Sequence, residues 1–87
     1  MGEDLKLPVK PADTVWDITV ASCTVFVRLK AKYDQKVVAD GGRAVFGANE
    51  SETFIAATVV SLAQKAVEDY ERAESLTKRF GVTVRSY

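Results

Sequence analysis

The 87-residue sequence contains no histidine and a single cysteine, and each shortage excludes chemistry. Without histidine, the commonest general base near neutral pH is missing. Cys23 has no second cysteine for an internal disulfide and no histidine to activate it as a nucleophile, and no zinc-ligand set exists. It lies in a β-rich apolar run, so the sequence predicts a buried thiol in a reducing compartment. Net charge is lacking too: Lys+Arg 12 balance Asp+Glu 12, which removes any overall pull towards nucleic acid or membrane. No apolar run approaches the ~20 residues that span a bilayer. The start, MGEDLKLPVK, is polar and acidic where a secretory leader needs a basic end and an apolar stretch. Gly2 follows Met1, but Lys6 stands where a myristoylation signal has Ser or Thr. The expectation is a soluble, cytoplasmic, non-enzymatic protein with no cofactor, no metal and no membrane partner.

What is present suffices for one small domain: 47% of residues are hydrophobic, and the chain length fits a single core. A core of this size stabilises modestly, so association would add appreciably to stability. The two prolines, Pro8 and Pro11, mark residues 1–13 as an extended N-terminal arm, leaving 14–87 as a single α+β domain. TVWDITVASCTVFVRLKAKY is dense in β-branched and aromatic residues. Its apolar positions change parity, from Trp16, Ile18 and Val20 to Val25, Val27, Leu29, Ala31 and Tyr33. A regular strand cannot switch faces midway, so a bulge or tight reversal is required near Ala21-Ser22-Cys23. Strands over 15–21 and 23–33 follow, with one long bent strand as the alternative. Asp34 is placed to bond back to its local backbone in the next turn. Gly41-Gly42 then reads as a β-turn between short strands in KVVAD and RAVFG.

Asn49 and Glu52 have capping-box spacing, with Ser51 as a competing cap, and a helix runs from there to Phe80. No Gly or Pro interrupts it, and Gly81 stands where a left-handed stop is needed. Glu50 and Glu52 at its start, with Lys78 and Arg79 at its end, complement the helix dipole. VTVRSY would add a short closing strand. The predicted architecture is a two-layer α+β sandwich: a mainly antiparallel sheet of three or four strands on one long C-terminal helix, in the order β-β-β-α-β. In architecture alone, that order resembles small regulatory and double-stranded-RNA-binding-like domains, and no motif accompanies the resemblance.

Two surfaces are candidates for function. On the helix, Ile55, Val59, Leu62, Ala66, Tyr70, Ala73 and Phe80 recur at helical spacing as a core stripe. Beside it runs an apolar shoulder, Ala56, Val60, Ala63 and Val67, continued by Glu71 and Glu74. The shoulder fits a contact with another protein or a second copy, unless the sheet or the arm covers it. Phe54 falls on the polar side, placed to staple the helix start to the preceding loop. On the second strand, Phe26, Arg28, Lys30 and Lys32 alternate onto one face. An aromatic among cations suits a nucleic-acid-binding sheet, but lysine on a strand equally deters edge pairing.

The charge balance hides an asymmetry. From Arg28 to Arg43 there are five basic and two acidic residues; from Glu50 to Glu74 there are six acidic and two basic. DGGRAVFG has neither P-loop spacing nor the full G-x-G-x-x-G pattern, although Arg43 remains an anion-contact candidate at the turn. Glu68 and Arg72 have ion-pair spacing on the helix surface. The sequence therefore points first to a protein-interaction or regulatory module, an adaptor or an inhibitor of a larger protein, homodimeric through the helix shoulder. A phage-type inhibitor with an acidic helix is one form of this. The alternative is a nucleic-acid-binding domain using Phe26, Arg28, Lys30, Lys32 and Arg43.

Overall fold

In the computed structural model, which describes residues 6–81, three antiparallel strands carry one long helix. The strands are β1 (Thr14–Ala21), β2 (Thr24–Ala31) and β3 (Val37–Val45), in spatial order β1-β2-β3, and the helix is α1 (Glu52–Phe80). The predicted closing strand lies outside the described residues.

The parity switch is a two-residue hairpin. Ser22 and Cys23 both adopt left-handed backbone (φ 52° and 61°), the conformation that matches the twist of the flanking strands. Val20 thereby faces Val25, Ile18 faces Val27 and Trp16 faces Leu29, so even positions of β1 and odd positions of β2 share one side. Cys23 sits exposed at the tip of this turn, not buried as its apolar neighbours suggested. β2 ends at Ala31, two residues before the sequence boundary, leaving Tyr33 in the connecting turn and exposed. Asp34 accepts from the Lys36 amide in that turn, as its side chain predicted.

Gly41-Gly42 is not a turn. It lies inside β3, where the register slips once at Gly41 and again at Val38: Val27 faces Gly42, Arg28 faces Asp40, Leu29 faces Ala39 and Lys30 faces Val37. A glycine pair signals either a turn or a close backbone approach, and here the second applies. A Cβ on Gly41 would collide with the Leu62 carbonyl of α1, and would lie 2.9 Å from that carbonyl's carbon and 3.1 Å from the Val27 oxygen. Gly42 takes φ 94° to complete the bulge.

Ser51, not Asn49, caps α1: its hydroxyl accepts from the Phe54 amide at 3.1 Å. Gly81 ends the helix in left-handed conformation (φ 70°), its amide donating to the Thr77 carbonyl. Ser51→Ala should therefore lower the melting temperature by roughly 4–8 °C, the equivalent of about 1 kcal/mol, in a calorimetric scan.

The core forms two clusters between helix and sheet. Val25, Val27, Phe46, Val59, Leu62 and Ala63 make the larger; Leu29, Ala39 and Ala66 make the smaller. The helix stripe is confirmed at Val59, Leu62, Ala66 and Ala73, while Phe80 is 63% exposed. Length explains the difference. At ~1.5 Å per residue a 29-residue helix spans ~43 Å, whereas eight- or nine-residue strands reach ~30 Å, so the last turns run past the sheet. Phe54 meets Phe46 edge-to-face, with ring centroids 6.1 Å apart, and so ties the helix start to the end of β3.

Candidate interaction surfaces

A helix is about 10 Å across and neighbouring strands lie about 4.8 Å apart, so one helix covers about two strands. Here it lies over β2 and β3. Leu62 meets Gly41, and Asp69 accepts from the Asp40 amide at 3.4 Å, which fixes the side of α1 turned to β3. The shoulder, roughly a third of a turn further round, therefore faces β1.

β1 thus projects beyond the helix on the core side. Trp16 and Ile18 are half-buried against the core clusters, and Val20 is 63% exposed. Leu7 of the arm also packs against the larger cluster, while Val9 is exposed. On the helix, Ala56 and Val60 are half-buried, and Val67 leans on the smaller cluster. Glu74 is half-buried and Glu71 exposed at the end of the same flank.

Ala63 requires a correction. It is fully buried in the core of the single chain, with no surface left for a partner. Sequence periodicity places it beside the stripe, but the overhanging β1 extends the sheet under that side of the helix. The same overhang adds Trp16, Ile18 and Val20, which the sequence groups only as one face of a strand. Their parity was visible in the sequence, but which strand the helix would leave uncovered was not.

The opposite face of the sheet is open. Phe26, Arg28 and Lys30 all point there, as their alternation predicted, and are half-buried. Asp17 of β1 stands among them. Arg28 Nη2 donates to Asp17 Oδ2 at 3.0 Å, and Lys30 Nζ lies 3.7 Å from the same oxygen. The Arg43 guanidinium sits 6.0 Å from the Phe26 ring centroid, and Lys32 sits 5.6 Å from that of Tyr33. The row of cations is thus neutralised at its centre and the Phe26 ring faces an arginine. A stacking base would have to displace Arg43, and a phosphate would meet Asp17.

An open depression of about 460 Å³ lies between β3 and α1, lined by Asp40, Gly41, Gly42, Lys65, Glu68, Asp69 and Arg72. Two of its backbone donors are already engaged: the Gly42 amide donates to Asp40 Oδ1 at 2.8 Å, and the Asp40 amide to Asp69 Oδ2 at 3.4 Å. Three carboxylates against two cations make a poor anion site. Arg72 lies 3.9 Å from Asp69, not paired with Glu68 as their spacing suggested. Among the described residues, no group of three or more His, Cys, Asp or Glu is placed to hold a metal ion, and no helix is long and apolar enough to cross a membrane.

No protein-family model matches this sequence, and comparison with curated proteins and with solved structures gives no match.

Proposed function

We propose that this chain is a small non-enzymatic protein-binding module, an adaptor or inhibitor type of domain. Its binding surface is the apolar flank formed by Trp16, Ile18 and Val20 of β1 with Ala56, Val60 and Val67 of α1. The observation that carries this reading is the uncovered strand: Val20 is 63% exposed in line with the half-buried Trp16 and Ile18. A contiguous apolar strip rimmed by charge is the usual form of a protein-contact site. Glu71 and Glu74 at one end of the flank add a directional negative charge, which steers and orients a partner more than it tightens binding. The nucleic-acid alternative is disfavoured by Asp17, which occupies the middle of the cationic row.

Site-specific photo-cross-linking tests this reading even while the partner is unidentified. A photoreactive residue in place of Val60 is expected to give one discrete protein adduct in the cells that make the protein. The same residue in place of Ser61, exposed on the far side of α1, should give none. Equal, diffuse labelling from both positions would overturn the assignment of the flank.

A further inference from the structure

We propose that the partner is a second copy of this chain, and that β1 pairs antiparallel with the partner's β1 to join two sheets into one of six strands. This rests on the protein-binding reading above and names the partner and the strand edge of that flank with which it pairs.

The two edges of the sheet differ in kind. β3 is interrupted by two register slips, contains Gly41 and Gly42, and exposes Asp40 and Arg43. Slips and exposed charges of this kind blunt an edge against further pairing. β1 has none of these devices. Its register with β2 is continuous through eight residues, and TVWDITVA holds no lysine, proline or glycine. Its one charge, Asp17, is already engaged by Arg28 and Lys30 on the open face. Among the described residues, β2 is its only strand neighbour.

Charge and shape select a register. Residues directly opposite in an antiparallel pair share a face, so a two-fold axis normal to the sheet must pass through one self-paired residue. Through Ile18, the axis sets Trp16 against the partner's Val20, Asp17 against the partner's Thr19 and Val15 against the partner's Ala21. Apolar then meets apolar, and a carboxylate meets a hydroxyl. Moved to Asp17, the axis opposes two carboxylates. Moved to Thr19, it sets Trp16 against the partner's Ser22, in the hairpin turn. Ile18 is the self-complementary centre.

That axis keeps both helices on one side of the sheet, their apolar flanks facing each other. With strands about 4.8 Å apart and each helix over β2 and β3, the helix axes stand about 19 Å apart. Helices of ~10 Å diameter then leave a channel about 9 Å wide. Its floor is Trp16, Ile18 and Val20 of both copies.

Thr19 reads this arrangement cleanly, because it is exposed on the face away from the core. Sedimentation of the full chain from low to high micromolar concentration is expected to show a monomer–dimer equilibrium. Thr19→Asp creates two like-charge oppositions with Asp17 and should weaken dimerisation about ten-fold, whereas Thr19→Lys creates two opposite-charge pairs and should preserve or tighten it. As a second measurement, Ile18→Cys in a Cys23→Ser background should cross-link through a short bismaleimide, and Val15→Cys in the same background should not. A chain that is monomeric at every concentration overturns the proposal. So does a dimer indifferent to the sign of charge at position 19, or a monomer that dimerises only after residues 82–87 are removed, which would give the edge to that segment. A monomeric chain that still yields an adduct from position 60 would remove the self-pairing and leave the protein-binding reading standing.

Discussion

Gly41→Ala is expected to lower the melting temperature by roughly 12 °C or more, the largest effect of an added methyl group at any of the described glycines. The reason is the proximity of two backbones. A Cβ at this position points directly at the Leu62 carbonyl of α1 and has the Val27 oxygen 3.1 Å to its side. Neither neighbour is a side chain that can rotate away. Accommodation requires the helix to lift from β3, which opens the packing of Leu62 and Val59 on Val25 and Val27. Overpacking of a tight core costs typically 1–3 kcal/mol, and a clash with rigid backbone belongs at or above the top of that range, about 3 kcal/mol. Domains of this kind hold only about 5–15 kcal/mol in all, so a thermal or urea unfolding curve would show the loss readily. A melting temperature within 3 °C of wild type would mean that the helix does not sit against β3 at this point.

Leu29→Ala should cost about 3 kcal/mol, for the opposite reason. Leu29 is one of the largest fully buried side chains, and its closest fully buried companions, Ala39 and Ala66, are small. Methyl groups cannot reach into the space that the leucine vacates. Trp16, Val38, Val67 and Tyr70 close the periphery of this cluster, and any of them moving inward would give up contacts of its own. A void therefore persists, and cavity cost adds to lost burial. Urea unfolding should show a lower midpoint with an unchanged slope. A change below 1 kcal/mol would indicate that the cluster collapses around the deletion.

The main architecture was legible in the sequence because its signals are local. β-Branched density gave the strands, the parity switch at Ala21-Ser22-Cys23 gave their reversal, and an uninterrupted stretch closed by Gly81 gave the helix. Failures occurred where the decisive cause was distant in the chain or, at Cys23, lay in the exact geometry of the turn. Gly41-Gly42 has the composition of a turn, yet its purpose is set by Leu62, twenty-one residues on. Cys23 has apolar neighbours, but a two-residue reversal turns its side chain to solvent. Ala63 looked like a shoulder residue because periodicity reports angle round a helix and says nothing of how far a sheet extends beneath it. The candidate surface was legible by half. Val60 and Val67 came from helical spacing, whereas the contribution of Trp16, Ile18 and Val20 depends on which strands the helix covers. On the other face, alternation located Phe26, Arg28 and Lys30, and only the pairing of β1 with β2 revealed Asp17 among them.

Placing α1 after all three strands has a consequence for biosynthesis. The hairpin contacts are close in sequence and form quickly once residues 14–45 leave the ribosome, since loops this short close in microseconds. The cover for Val25, Val27 and Leu29 arrives later, because residues 46–80, 35 further residues, must be added at about 5–20 per second, a delay of roughly 2–7 s. Throughout that interval a nascent chain would show a greasy three-strand surface together with an unguarded margin. The helix acts during translation as a late-arriving shield, and the speed of its elongation bears on yield as directly as its packing bears on stability.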